Sequence, residues 1–228
     1  MNNSLRYFVL LTSILLGFTA QAYDPIHVAA AENNTNVIAK LLNDGVDINV
    51  AEINQGCSPL HWAAHFNRNE AAKYLIEHGA DTNARNNYGM TPLHYAALCD
   101  HYDMVVMLLS NKADVNAYDC QGLTPLHQAS QYGHAKIIKF LLSSGADINA
   151  KTNYRGLTPL HWAAFWGDTE AINALLEGGA DINARDNHGY TPLIWAEQNC
   201  RYDAARLLVR KGCQRHQHDQ DLTADIRP

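Results

Sequence analysis

The chain has 228 residues, 47% apolar and 18% charged, with a formal net charge of −6. This balance excludes a chain disordered by composition and a basic nucleic-acid binder, and it supplies enough apolar side chains for a core. Five cysteines are an odd count and too few for a disulfide scaffold of this length, while twelve histidines raise the question of a metal.

Residues 1–22 read as an export signal. Arg6 and the amino terminus form a small positive region, an apolar run follows from Tyr7 to Phe18, and Ala20-Gln21-Ala22 offers small residues where a signal peptidase reads them. Thr12, Ser13 and Gly17 interrupt the run, which is shorter than the ~20 residues a membrane span requires, so cleavage before Tyr23 is expected over retention as an anchor. Removal takes Arg6 and no acid, leaving 16 basic against 23 acidic residues, a mature charge of −7.

From residue 23 onward a period near thirty-three residues governs the chain. Its first phrase runs Pro25-Ile26-His27, Ser58-Pro59-Leu60-His61, Thr91-Pro92-Leu93-His94, Thr124-Pro125-Leu126-His127, Thr158-Pro159-Leu160-His161 and Thr191-Pro192-Leu193-Ile194, with prolines 34, 33, 33, 34 and 33 residues apart. A second phrase keeps phase: Gly-Val-Asp-Ile-Asn at 45–49, Gly-Ala-Asp-Thr-Asn at 79–83, Ala-Asp-Val-Asn at 113–116, and Gly-Ala-Asp-Ile-Asn at 145–149 and 179–183. Thr or Ser before Pro is a hydroxyl N-cap followed by the residue best tolerated at the first helical position, so a short helix starts at each proline. Pairs such as Ala63-Ala64 and Ala163-Ala164 allow a neighbouring helix to approach closely. Apolar pairs one turn apart, such as Ile137-Ile138 with Leu141-Leu142, predict a second helix, and Gly79, Gly145 and Gly179 suit its left-handed cap.

These phrases resemble the ankyrin repeat family over about residues 23–213. The resemblance implies an all-α solenoid of stacked helix-turn-helix units with β-turn or hairpin fingers, stabilised by packing between neighbours. The expected units are 23–56, 57–89, 90–122, 123–156, 157–189 and 190–213, followed by a polar tail at 214–228. Departures fall at the ends: Asp24 stands where Thr is usual, and Ile194 replaces His. The fingers before Pro59 and Pro159 carry one extra residue and are expected to project further.

The resemblance implies that His27, His61, His94, His127 and His161 bond backbone and the Thr hydroxyl to tie units together. The recurring Asp47, Asp81, Asp114, Asp147 and Asp181 read as turn formers, and Arg85, Lys151, Arg185 and Arg155 as a solvated basic row. His216-Gln217-His218-Asp219 lacks a rigid ligand set, so no metal site is assigned. Spacing along the repeats predicts no intrachain disulfide, and no His with a supporting acid stands beside Cys99 in sequence. With no phosphate loop, Gly-x-Ser-x-Gly or His-Glu-x-x-His, no catalytic residue and no cofactor are expected.

In this family the end of each first helix and the turn tips face the concave side. Those positions hold Phe66, Tyr132, Phe165 and Trp166 in the helices and Tyr88, Met90, Tyr154 and Tyr190 in the turns, aromatic or Met and nearly free of charge. That is the composition of a protein-binding hot spot; the alternative is that Phe66 and Phe165 fold back over the helix pair as local packing. Trp62, Trp162 and Trp195 lie deeper and read as core. The expectation is an exported monomer, periplasmic or secreted, that binds a protein partner and has no stable membrane insertion. The alternatives are an effector acting on a host protein, or a groove that binds a small ligand or hides a hydrolytic site.

Overall fold

The structure, a computed structural model, describes residues 24–213. The export segment and the tail with its histidines lie outside the described residues.

Among the described residues twelve helices alternate in two roles. The first helices are α1 (Pro25–Ala31), α3 (Pro59–His65), α5 (Pro92–Leu98), α7 (Pro125–Gln131), α9 (Pro159–Trp166) and α11 (Pro192–Gln198). The second helices are α2 (Thr35–Asn43), α4 (Asn69–Glu77), α6 (Tyr102–Ser110), α8 (Ala135–Ser143), α10 (Thr169–Glu177) and α12 (Tyr202–Arg210). Each first helix begins at the proline of the repeat phrase, and each pair packs against the next, so the chain builds two parallel rows of helices. The inner row is the closer packed, because Ala63, Ala64, Ala96, Ala97, Ala163 and Ala164 are wholly buried and admit the neighbouring backbone. Between the rows runs one apolar seam containing Ile38, Leu60, Leu75, Leu93, Leu108, Leu126, Leu141 and Leu160. At about 2 kcal/mol per buried aliphatic side chain, neighbours rather than single units stabilise this array.

The motif histidines lock the seam by a geometry that fixes their tautomer. In α5 the Thr91 N–H donates to His94 Nδ1 at 3.0 Å, while His94 Nε2 lies 3.0 Å from the Leu123 carbonyl of the following finger. A ring nitrogen that faces a carbonyl must carry the proton, so Nε2–H donates and Nδ1 accepts. His61 to Met90, His127 to Leu157 and His161 to Tyr190 repeat the arrangement at 3.0 to 3.1 Å. This is a capping box in which His takes the place of the usual Glu at the third helical position. In α1 the box is incomplete. His27 Nε2 reaches the Cys57 carbonyl at 2.8 Å, but its Nδ1 has no hydrogen-bond partner and lies 3.9 Å from the Asp24 carboxylate.

The fingers are turns, and no β-strand forms among the described residues. One backbone hydrogen bond joins each finger to the next: Asn87 N–H to Gln55, Cys120 to Tyr88, Asn153 to Gln121 and Asn187 to Arg155, all at 2.8 to 2.9 Å. The Asp-x-Asn phrase sets the finger base. Asp81 Oδ1 accepts from its own turn at Asn83 N–H, and Asn49 Oδ1 accepts Asp81 N–H from the next unit, a pattern repeated along the array. The two longer fingers carry the most exposed large apolar residues described, Ile53 at 87% and Tyr154 at 83%. No helix among the described residues is long and apolar enough to cross a membrane.

Candidate binding face

The first helices end in carbonyls that lack a helical partner, and for four of them the following unit supplies a donor from the start of its second helix. Arg68 Nε reaches the Ala31 carbonyl at 2.5 Å, His101 Nε2 the His65 carbonyl at 2.9 Å, His134 Nε2 the Leu98 carbonyl at 3.0 Å and Arg201 Nε the Phe165 carbonyl at 3.2 Å. This second ladder fixes the ends of the first helices, where the aromatic strip begins. The repeat pattern hides it because the position holds Arg in two units, His in two and Asp168 in the fifth.

The strip is a set of ring contacts more than a row of free side chains. Phe66 lies 4.7 Å from His65 and 5.9 Å from Trp62, ring centre to ring centre. Phe165 lies 5.2 Å from Trp166, 5.7 Å from Trp195 and 6.3 Å from Trp162. Tyr132 stacks on His134 at 6.2 Å. Phe66, Tyr88, Met90, Tyr132, Phe165, Trp166 and Tyr190 are each half-buried, and Tyr154 alone of the expected set is widely exposed. The expectation of a freely exposed strip is corrected on this point: the rings pack on one another and present edges and parts of faces. Trp62 and Trp195 are buried at 7%, as core residues, whereas Trp162 is half-buried. Tyr118, at the repeat position that holds Arg85, Lys151 and Arg185 in other units, is 62% exposed and lies under Arg85, with the guanidinium carbon 5.4 Å from its ring centre.

Two polar clusters beneath the strip were not visible in the sequence. Asn86 Nδ2 donates to Tyr95 Oη at 3.0 Å, and Cys57 Sγ lies 3.6 Å from the same oxygen. Burial pushes both the Cys57 thiol and the Tyr95 phenol up, so each stays protonated. The second cluster pairs Cys99 Sγ with His65 Nδ1 at 3.4 Å, a neighbour the sequence reading did not place there. A thiolate nucleophile needs a base that holds its proton. Here burial raises the Cys99 thiol to about 11 and lowers His65 to about 4, with the neighbouring His101 acting in the same direction on His65. The pair is therefore a neutral thiol against a neutral imidazole, which packs the helix ends and is not primed for attack. Among the described residues no group of three or more His, Cys, Asp or Glu could hold a metal ion, and no disulfide joins any two of the five cysteines.

Two interlocking hydrogen-bond ladders, a shared apolar seam and stacked fingers define a helical repeat solenoid that presents one aromatic, weakly charged face. The family model for ankyrin repeats in three copies matches residues 9–86, 26–119, 83–152 and 151–219, and the chain belongs to the ankyrin-repeat family. No curated protein matches the chain. Repeats of this family are protein–protein interaction modules and typically non-enzymatic scaffolds.

Proposed function

We propose that this protein is exported and binds a partner protein through the first-helix face and finger tips, with no chemistry of its own. The carrying observation is three groups of half-buried rings along that face: Phe66 with His65, Tyr132 with His134, and Phe165 with Trp166 and Tyr190 about the buried Trp195. Rings already held by their neighbours lose little freedom when a partner covers them, which is what makes aromatic anchors effective in interfaces. The face carries few charges, so recognition rests on aromatic contact and shape more than on long-range attraction.

The test is affinity capture from extracellular fluid and host lysate with the protein as bait, repeated with Tyr132→Ala and Trp166→Ala combined. The double variant keeps its helical circular dichroism and loses the captured partner by about tenfold or more in affinity. Retention of the partner at full affinity by the folded variant overturns the reading. Export is tested separately by amino-terminal sequencing of the released protein, with Tyr23 expected as its first residue.

A further inference from the structure

At the carboxy-terminal end of this face a groove of about 400 Å³ is lined by Arg155, His188, Tyr190, Trp195, Gln198 and Asn199. Two successive fingers contribute Arg155 and then His188 with Tyr190, α11 contributes Trp195 and Gln198, and Asn199 caps that helix. We propose that this groove binds an acidic side chain on an extended segment of a partner protein, with Arg155 as the counter-charge; the proposal rests on the partner-binding reading and names the chemistry at one end of it.

The position of the guanidinium carries the argument. Arg155 sits in the finger lengthened by one residue, and its guanidinium carbon lies 5.5 Å from the Trp195 ring centre. Among the described residues the guanidinium has no hydrogen bond and no ion pair beyond this contact. Asp186, whose carboxylate bonds the same indole, is already committed. Its Oδ1 accepts His188 and Tyr190 N–H at 2.9 and 2.8 Å, and its Oδ2 accepts the Trp195 indole N–H at 3.0 Å. Those bonds also hold the indole rigid, with Phe165 and Tyr190 packed around it, so the cation rests on a fixed platform.

A second, independent observation points to an acceptor from outside. Gln198 Nε2 is buried and has no acceptor among the described residues. A buried amide donor left unpaired costs free energy that an incoming acceptor restores. Asn199 uses its Nδ2 on the Trp195 carbonyl at 2.8 Å, which leaves its Oδ1 for the N–H of an extended chain. The lining therefore offers a planar cationic fork, an amide donor and two aromatic faces. Its complement is a carboxylate on an aliphatic stem, since guanidinium takes a carboxylate through two parallel N–H bonds and the rings take the methylenes. The volume suits one or two residues, so the rest of the segment continues along the aromatic face.

The test uses the whole chain with its tryptophan indoles labelled with nitrogen-15. The probe is an acetylated, amidated short peptide with a central glutamate between leucines, compared with its glutamine counterpart. The Trp195 indole signal shifts saturably with the glutamate peptide, and the glutamine peptide binds about tenfold more weakly. Arg155→Gln abolishes that preference while the urea midpoint stays the same, and Arg155→Lys keeps part of it. No saturable shift with either peptide, equal affinity for both, or a preference unchanged in Arg155→Gln overturns the proposal. Sodium acetate or inorganic phosphate producing the same shift at the same concentration overturns it too, by making this a general anion site. Failure here stays distinct from failure of the wider reading: a captured partner lost on Tyr132 and Trp166 substitution but indifferent to Arg155→Gln sinks the groove and leaves the face.

Discussion

Trp195 donates its indole N–H to the Asp186 carboxylate at 3.0 Å, nine residues earlier in the chain, and so pins the first helix of the last unit to the finger that precedes it. Tyr95 and Asn86 hold the same two positions and bond at 3.0 Å. In the fifth unit the pair is Trp162 and Thr152, and it fails: the Thr152 hydroxyl is used by Leu157 N–H at 3.0 Å, and Trp162 Nε1 is buried with no partner. The finger before Pro59, of the same length, holds Glu52 there, whose carboxylate accepts N–H from Asn54 at 2.6 Å and from Gln55 at 2.5 Å. Thr152→Glu is expected to stabilise the array by about 1 kcal/mol, through finger N–H bonds and an acceptor for the Trp162 indole. The check is the urea midpoint together with slowed exchange of the Trp162 indole proton; a lower midpoint contradicts the pairing.

Asp24 occupies the N-cap position of α1 without a side-chain capping bond, and His27 Nδ1 lies unpaired beside it. Asp24→Thr restores the box found at Thr91 with His94 and is expected to add about 1 kcal/mol. Hydrogen exchange gives the sharper readout, because protection should rise in α1 and α2 and not at the far end of the array.

Lys112 has a φ of +66° where the corresponding positions in other units are Gly45, Gly79, Gly145 and Gly179. A lysine held in the left-handed region costs about 1 kcal/mol, and an added Cβ at those glycines meets nothing within 4 Å, so the cost is backbone strain rather than a clash. Lys112→Gly should raise the thermal midpoint by a few degrees for an array of this size; an unchanged or lower midpoint counts against the strain.

The motif histidines make stability depend on pH. Burial lowers His61, His94 and His127 to about 4, and protonation would place a hydrogen on Nδ1 against the N–H it accepts. Unfolded imidazole titrates near 6.5, so below that pH the unfolded chain binds protons that the folded chain refuses. Stability is full above about pH 6.5 and falls as pH drops toward 4, by up to roughly 3 kcal/mol per histidine. Urea midpoints at pH 7.5 and 5 measure this, and equal midpoints would contradict it.

The helix pairs and their starting prolines were legible because propensity and period agreed: a Ser or Thr N-cap, then Pro, recurs in phase with the Gly-x-Asp-x-Asn turn. What stayed hidden depends on partners a full unit away whose residue type changes. The Arg68, His101, His134 and Arg201 bonds span 36 or 37 residues and mix two side chains. Likewise, Arg155 read as a solvated edge because nothing in the spacing shows that its guanidinium settles over Trp195. The sequence places the aromatic residues and offers local packing of Phe66 and Phe165 as an alternative, but how far each ring is covered depends on packing between units, as between Phe165 and Trp195.

Amide hydrogen exchange on the captured complex reads out whether a partner covers the first-helix face. New protection is expected at the ends of α3, α7 and α9 and at the fingers around Tyr88, Tyr154 and Tyr190, with α4, α6, α8 and α10 unchanged. Protection confined to those second helices, with the first-helix ends and fingers exchanging as in the free protein, would contradict it.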